Sequence, residues 1–334
     1  MKARRYRFRN HVALLIALAC GLTVVTFVLR APAAWGQVQR VFKIGVLTDG
    51  MVPWTPSAKG FRDGLQELGY TEGKNVRFEA RATQGDSNRV YELAAELIKS
   101  NPDLLFCISD ACWKETARIP MVFTQVSDPV RIGLVQSMSR PGGDITGIAN
   151  LRADLSAKRL ELFKEIVPSL RRVLVTYDPR NTEERQAVTS ARSAARRLGL
   201  QLLEHPIRDA LEIEPALAKL EEGGQDGILI VQEGTNLNIS GRSLQVATSN
   251  NLPTMYPASF WSQVGALASY GPDQYAQGRQ SARLAHKILT GTPPRELPVE
   301  FPDRIEFFIN LSTAKRIGLH VPQALLVRAD RVIN

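Results

Sequence analysis

The side chains that could do chemistry in this sequence are scattered acids, short polar groups and aromatic rings. The candidates are Asp49, Trp54, Ser109, Asp110, Ser127, Asn150, Asp178, Glu233, Tyr256, Phe260 and Tyr270. Carboxylates can pair with an ammonium group, hydroxyls and amides can hold a carboxylate, and rings can cover an apolar portion. This mixture is typical of a site that binds a small zwitterion with an apolar part.

Three of these candidates have a second interpretation that the sequence leaves open. Trp54 lies in a loop between two prolines, where its indole can offer a flat face to a ligand or pack against its own domain. Asp178 precedes a proline, so its carboxylate can receive a ligand ammonium or stabilise its own turn. Glu233 is either a second partner for the ammonium or a solvated loop residue.

The sequence holds no recognisable catalytic or cofactor motif. Its four histidines, His11, His205, His286 and His320, are dispersed. It has no serine nucleophile elbow, no metal-ligand cluster and no phosphate-binding glycine pattern. We therefore expect no catalytic residue, no cofactor and no metal, and an enzyme is the least favoured class of function.

Residues 1–36 have the pattern of a secretory signal peptide. Basic side chains between Lys2 and Arg9 precede an acid-free apolar run from Val12 to Leu29, and the small residues of RAPAAWGQ follow. We expect cleavage before Gln37 and export to the periplasm. The length of the apolar run leaves an uncleaved membrane anchor as the alternative.

The basic balance of the chain comes mostly from this leader. Residues 1–36 hold six basic side chains and no acid, so the net charge of +9 falls to +3 without them. No block of lysine and arginine with interleaved aromatics remains, which disfavours nucleic-acid binding. Export permits a disulfide between Cys107 and Cys112, and their spacing leaves two free thiols equally open.

Strand and helix patterns alternate along the rest of the chain, and the alternation occurs twice. In the first half, aliphatic runs such as RVFKIGVLTDG and LLFCISD alternate with helical patterns such as SAKGFRDGLQELGY. In the second half, RRVLVTYD and GILIVQEG alternate with ERQAVTSARSAARRLGL. This order predicts an α/β fold of two Rossmann-like lobes with parallel sheets. A last helix, after IEFFIN, is predicted to have Ser312 as its N-cap.

Three stretches are predicted to cross between the lobes as hinges. Pro141 to Gly143 break the last turn of the first lobe, and Ile145 to Leu151 carries the chain across. A second crossing falls at Gly271 and Pro272, and a third follows Pro298. The first lobe is then predicted to comprise residues 37–148 and 271–298, and the second lobe residues 149–270 and 299–334.

The candidate site residues fall where the predicted strands end. In open α/β sheets, ligands bind beyond the carboxyl ends of the strands, because loops and helix N-termini present polar groups there. The expected ends are Asp49 with residues 51–55, Ser109 and Asp110, Gln125 to Ser127, Tyr177 and Asp178, residues 232–236, and Tyr256 to Phe260. Asn150 and Tyr270 lie near the crossings. A bilobal clamp with its site between the lobes is therefore predicted.

Several longer phrases carry a resemblance to a known family. They are KIGVLTDG, FRDGLQELGYTEGKNVRFEAR, IPMVFTQVSDPVRIGLVQSMSRPGGDITGIANL, SAKRLELFKEIVPSLRRVLVTYDP, SYGPD and EFFINLSTAKRIGLHVPQALLVRADRVI. Together they resemble the ABC-transporter substrate-binding proteins of the tryptophan/tyrosine-type periplasmic group. The resemblance implies a type I periplasmic-binding fold and a ligand trapped between the lobes, an amino acid with an aromatic or branched side chain. It also implies a monomer that delivers its ligand to permease subunits with a cytoplasmic ATPase.

The sequence departs from the family's pattern in one segment. Members usually have a Gly-Thr-Pro-like turn and a fuller helix between the strands LLFCIS and IPMVF, whereas this chain has only DACWKETAR. That turn supplies hydroxyl and backbone donors to the ligand in the family, so Ser109 and Asp110 are the nearest substitutes. The same fold would also serve an exported sensing subunit that docks on a membrane receptor, which the sequence does not separate from transport.

Overall fold

The fold is built around two β-sheets that the chain forms one after the other. The computed structural model describes residues 40–84, 86–108, 119–150, 152–208, 210–217, 220, 225–231 and 237–334. Within them, one sheet has five strands and the other has seven. Helices pack on both sheets, and the described chain forms two α/β lobes. The predicted fold class is therefore confirmed.

The first sheet comes from the first half of the chain. Its elements are β1 (Phe42–Thr48), α1 (Pro56–Glu67), β2 (Val76–Ala82), α2 (Val90–Lys99), β3 (Leu104–Ile108), β4 (Met121–Val126) and β5 (Ile145–Ala149). The strand order is β2-β1-β3-β4-β5, and every neighbouring pair is parallel. Parallel strands are connected by helices that cover both faces of a sheet, which is why β1, β3 and β4 are apolar nearly throughout.

Successive side chains of these strands enter different cores. Phe106 of β3 points towards α1, where its ring stacks on Phe61 with the centroids 4.0 Å apart. Its neighbour Leu105 faces the opposite side and packs with Leu97 of α2. This period of two is the expected consequence of strand geometry. The first lobe therefore has an apolar core on each side of its sheet.

The second half of the chain forms the larger sheet, and one helix returns to the first lobe. The elements are α3 (Arg152–Ile166), β6 (Arg172–Tyr177), α4 (Thr182–Leu198), β7 (Gln201–Pro206), α5 (Ile213–Leu217), β8 (Asp226–Ile230), α6 (Leu237–Ser249), β9 (Thr254–Tyr256), α7 (Ser259–Gln263), β10 (Ala268–Pro272), α8 (Gln274–Leu289), β11 (Ile305–Asn310), α9 (Leu311–Arg316), α10 (Gln323–Arg328) and β12 (Arg331–Ile333). The strand order is β12-β11-β10-β9-β8-β6-β7.

One pair of strands in this sheet departs from the parallel arrangement that the sequence predicts. Strand β11 pairs with β10 in the antiparallel direction, and Gly271 lies opposite Glu306. The chain reaches β11 directly from the first lobe, so it enters the second sheet at the carboxyl end of β10 and must run away from that edge. The earlier crossing, after β5, is followed by α3, and this helix lets β6 begin at the opposite edge.

Two local predictions need correction. Residues 145–149 are not a crossing: they form β5, which pairs with β4 from Ile145 opposite Met121 onwards. The chain leaves the first sheet only after Ala149, because β4 offers a free edge that a short apolar run can extend. The N-cap of α9 is Asn310 rather than Ser312, since its side chain accepts a hydrogen bond from the backbone N–H of Thr313 at 2.8 Å.

Helix α8 returns from the second sheet and packs closely on α1. A Cβ atom added at Gly60 would lie 2.1 Å from the carbonyl oxygen of Tyr275, and one at Gly278 would lie 2.0 Å from that of Ser57. At the next turn, Gly64 faces Ala282. Small residues on both helices let their backbones approach each other, which fixes α8 on the first lobe.

Three segments connect the sheets, and side chains of α8 are hydrogen-bonded to two of them. At the first crossing, the amide nitrogen of Gln277 donates to Oδ1 of Asn150 at 2.8 Å. At the third, Gln280 donates to the backbone oxygen of Phe301 at 2.9 Å. The second crossing leads directly into α8, and the N–H of Asp273 donates to the carbonyl oxygen of Arg304 at 3.1 Å. The start of α8 therefore joins all three crossings.

Candidate ligand cleft

The strand ends bring most of the predicted site residues to the edges of the two sheets. In the first lobe, Asp49 follows β1, Ser127 follows β4 and Asn150 follows β5. In the second lobe, Asp178 follows β6, and Phe260 lies in the helix after β9. Tyr270 is the middle residue of β10. Ser109, Asp110 and Glu233 lie outside the described residues, as does the shortened segment that follows Ser109.

Two polar groups mark the edge of the first sheet. The carboxylate of Asp49 accepts a hydrogen bond from the hydroxyl of Thr83 at 2.7 Å, which ties the ends of β1 and β2 together. The hydroxyl of Ser127 is buried, and within the described chain it has no hydrogen-bond partner. A buried polar group without a partner costs free energy unless a ligand or water supplies one. Ser127 is therefore suited to donate to a bound molecule.

The backbone at the end of β4 is unusual. Gln125 has a φ of 64°, in the left-handed region, and the pairing of β4 with β5 shifts register between Thr124 and Val126. The side-chain nitrogen of Gln125 donates to the hydroxyl of Ser57, in the first turn of α1, at 3.0 Å. Strained backbone of this kind is often found at binding sites. The sequence places Gln125 at this edge, but nothing in it indicates the positive φ.

Trp54 is in contact with its own lobe. Its ring meets Phe78 edge-on, with the centroids 5.8 Å apart and an interplanar angle of 87°. The guanidinium of Arg62 also contacts Trp54 and lies 4.6 Å from the centroid of the indole ring. These contacts favour the interpretation that Trp54 packs against its own domain, because a cation already lies against the indole ring.

Asp178 is also engaged within its own loop. Its carboxylate accepts hydrogen bonds from the backbone N–H of Arg180 at 2.8 Å and from the guanidinium of Arg180, with Nη2 at 2.7 Å. The Arg180 guanidinium and N–H hold the pKa of Asp178 below its ordinary value. This geometry favours the turn-stabilising interpretation, since an incoming ammonium would have to compete with Arg180.

Tyr256 is a core residue, and its prediction as a ring on the rim of the cleft is wrong. The side chain is fully buried, its ring packs on Trp261 at a centroid distance of 5.0 Å, and its hydroxyl donates to the backbone oxygen of Ser240 at 2.8 Å. Burial raises the pKa of the Tyr256 hydroxyl. The reason is that β9 is an inner strand of the large sheet and is covered on both faces.

The remaining two rings differ in exposure. Phe260 is 48% exposed at the start of α7, so it presents a large apolar surface to solvent. Tyr270 is partly buried against Phe307, with the ring centroids 6.2 Å apart. The backbone oxygen of Tyr270 accepts a hydrogen bond at 2.7 Å from Nε of Arg159, a fully buried side chain. Phe260 is therefore the more accessible of the two.

An ion pair that the sequence did not reveal joins the two lobes. Nη2 of Arg131, in the loop after β4, lies 3.7 Å from Oε1 of Glu183, in the first turn of α4. The local sequence NTEER does indicate a helix start, with Asn181 as the cap. No local pattern links that start to Arg131, because the two residues are far apart in the sequence and belong to different lobes.

The described residues offer binding groups rather than a metal centre or a membrane segment. No three histidine, cysteine, aspartate or glutamate side chains among them are grouped as metal ligands would be. No helix in the described ranges is both long and apolar enough to span a bilayer, and the apolar run from Val12 to Leu29 lies outside those ranges. Cys107 is disulfide-bonded, and its partner also lies outside them.

The fold and the comparisons define the class of this protein. Two α/β lobes joined by three crossings form the type I periplasmic-binding fold, as in several solved binding proteins. The family model described as ABC transporter substrate binding protein matches residues 53–333. The chain therefore belongs to the ABC transporter substrate-binding protein family, and the resemblance drawn from the sequence is confirmed.

Individual relatives and solved structures are similar to this chain. A tyrosine-binding protein from Clostridioides difficile (strain R20291) is 30% identical over 268 residues, which is 78% of this chain and 76% of the relative. The crystal structure of a conserved domain protein from Vibrio cholerae has a TM-score of 0.78 and 28% identity, covering 88% of this chain and 100% of that chain. An ABC domain from Streptococcus pneumoniae, solved in complex with L-Trp, has a TM-score of 0.77 and 24% identity over the same shares of the two chains.

Proposed function

We propose that this protein binds an amino acid, aromatic or branched, between its two lobes and delivers it to the membrane permease of an ABC importer. The relative from Clostridioides difficile is named for tyrosine binding, and this similarity is the observation that carries the proposal. The polar groups at the strand ends support it, because a zwitterion needs hydrogen-bond donors for its carboxylate and an acid for its ammonium.

We also propose where the protein works and which residues form each lobe. Residues 1–36 act as a signal peptide, and the mature chain works in the periplasm as a monomer. The lobes comprise residues 37–148 with 271–298 and residues 149–270 with 299–334. The partners are permease subunits with a cytoplasmic ATPase, which the family membership supports.

The described residues proposed to line the site are Asp49, Trp54, Ser127, Asn150, Asp178, Phe260 and Tyr270. Ser109, Asp110 and Glu233 are proposed from the sequence. Ser127 gives the sharpest test among them. Its buried hydroxyl has no partner within the described chain, so Ser127→Ala removes no described protein hydrogen bond. If the hydroxyl donates to a ligand carboxylate, its loss should weaken binding by roughly 10- to 150-fold.

Ser243 provides a matched control. Its hydroxyl is likewise buried without a hydrogen-bond partner in the described chain, but it lies in the body of α6 instead of following a strand. Calorimetry with L-tyrosine, L-tryptophan and L-leucine should give weaker binding for Ser127→Ala and unchanged binding for Ser243→Ala. Equal affinities for both variants would remove Ser127 from the site.

The ligand class is tested independently of any variant. Mass spectrometry of small molecules released by denaturing the periplasmic protein should identify an amino acid, and calorimetry should measure a dissociation constant below millimolar for it. If no amino acid binds in that range while a sugar or a carboxylate without an amine does, the proposed ligand class is wrong.

A further inference from the structure

The two edges of the cleft meet at the ion pair of Arg131 and Glu183. Arg131 belongs to the loop that follows the first lobe's β4, and Glu183 to the helix that follows the second lobe's β6. Their charged atoms are 3.7 Å apart. The contact therefore depends on how closely the lobes approach, and any opening of the cleft at this point breaks it.

The arginine is held in place by its own loop. Its backbone N–H donates to Oδ1 of Asp128 at 3.0 Å, and its Nε lies 3.4 Å from Oδ2 of the same carboxylate. Leu134 and Val135 anchor this loop, because both side chains are buried. Their N–H groups donate to the carbonyl oxygen of Pro129. The guanidinium is thus presented from an ordered loop, which lowers the entropy lost when it pairs.

The glutamate is held equally firmly. Oδ1 of Asn181 accepts hydrogen bonds from the N–H groups of Glu183 and Glu184 at 2.9 and 3.3 Å. The carboxylate of Glu184 turns back to accept the N–H of Asp178 at 2.7 Å. Glu183, the other acid of this helix turn, reaches towards Arg131 of the other lobe, and its side chain is only 5% exposed.

The two side chains differ in solvation, which sets the scale of their interaction. Arg131 keeps 35% of its side-chain surface in solvent, whereas Glu183 is nearly buried. Exposed ion pairs contribute little to stability, and close interfacial pairs contribute more. Because the two charges belong to different lobes, their attraction is lost when the lobes separate.

We propose that Arg131 and Glu183 form a latch across the cleft that stabilises the closed arrangement and raises ligand affinity without contacting the ligand. The affinity part of this inference rests on the proposed function, in which a ligand is trapped by closure. The physical basis is linkage: apparent affinity is proportional to the population of the binding-competent arrangement, so a contact made only in the closed protein strengthens binding.

The test is a double-mutant cycle on the affinity for L-tyrosine, measured by calorimetry. Arg131→Gln and Glu183→Gln should each weaken binding by about 3- to 10-fold. The double variant should lose no more affinity than the single variant that binds L-tyrosine more weakly, because each change already breaks the same contact.

Two further measurements complete the design. Arg192→Gln, which removes an ion pair with Glu204 inside the second lobe, should leave the affinity unchanged. Arg131→Gln alters a half-exposed side chain and is expected to fold, so it carries the test if Glu183→Gln does not. Additive losses in the double variant would overturn the latch.

Small-angle scattering separates a failure of the latch from a failure of the proposed function. The ligand-free protein should have a larger radius of gyration after Arg131→Gln, whatever the ligand is, because the closed arrangement becomes less populated. A larger radius together with no amino-acid binding would support the latch and refute the ligand class. An unchanged radius in both single variants, with unchanged affinity, would refute the latch.

Discussion

The close packing of α8 on α1 gives a quantitative prediction for Gly278→Ala. The new methyl group would lie 2.0 Å from the carbonyl oxygen of Ser57 and 2.7 Å from the backbone nitrogen of Phe61. Real Cβ atoms essentially never approach other atoms closer than 3.0 Å, so the helices must separate by about 1 Å at this point. Both obstructing atoms belong to the backbone of α1, which cannot rotate aside as a side chain can.

The expected cost follows from two opposing effects. Overpacking in a tight interface costs about 1 to 3 kcal/mol, and rigid backbone atoms place this site at the upper end. Replacing glycine by alanine within a helix contributes about 1 kcal/mol in the other direction. We therefore expect Gly278→Ala to lower the free energy of unfolding by about 2 kcal/mol.

A second glycine isolates the steric term. Gly241 lies in the helix α6, and among the described residues a methyl group there would have only Trp261 nearby, at 4.0 Å. Gly241→Ala should therefore stabilise the protein by about 0.5 to 1 kcal/mol through helix propensity alone. Gly64→Ala, whose methyl group would lie 2.8 Å from Cβ of Ala282, should fall between the two.

The assay is urea unfolding followed by circular dichroism at 25 °C, with the midpoints compared at equal slope. The order of stability should be Gly241→Ala, wild type, Gly64→Ala and Gly278→Ala. If Gly278→Ala is as stable as Gly241→Ala, the two helices do not approach as closely as described, and the argument for a fixed α8 fails.

Three other features give testable predictions. Asp226→Ala should lower the free energy of unfolding by on the order of 3 kcal/mol in urea, because Asp226 is 1% exposed and is bonded by two nitrogens of Arg172. Arg192 holds the pKa of Glu204 below its ordinary value. The stability gained from this pair is therefore present above the unfolded pKa and is lost as the pH falls through the folded one. The gap in melting temperature between wild type and Glu204→Gln should narrow as the pH falls below about 4.3. N-terminal sequencing of protein from osmotic-shock fluid should begin near Gln37, and an intact leader on membrane-bound protein would contradict cleavage.

The pH prediction has a simple control. Exposed Glu72 should tolerate Glu72→Gln with the same melting temperature as wild type across the pH range. A gap for Glu204→Gln that persists at low pH would show that packing, rather than the charge of the pair, determines its effect.

The alternation of strands and helices was predictable because buried parallel strands are apolar without interruption. The same signal failed at β5, where ITGIA is short and contains a glycine that packs against Phe123. It also failed for Tyr256, since an aromatic residue at a strand end looks the same whether it faces a cleft or a core. These differences depend on which strand is central and which lies at an edge, and that is decided by the whole sheet.

The site was predictable to the level of strand ends, and no further. The rule for carboxyl ends placed Ser127 and the loop of Asp178 at the sheet edges, and Asn150 was placed near a crossing. The partners of these groups come from distant parts of the chain: Gln277 reaches Asn150, and Arg131 reaches Glu183. Such pairs have no spacing in the sequence, so only the folded chain reveals them.

The bonds from α8 to the crossing segments have a mechanical consequence. Because Gln277 holds Asn150 and Gln280 holds Phe301, bending one crossing alone would break its hydrogen bond to α8. The three segments must then move in concert, which leaves the lobes one rotational degree of freedom instead of several. Opening should accordingly follow a single relaxation rate, and Gln277→Ala should divide it into at least two, because the first crossing could then bend independently of the third.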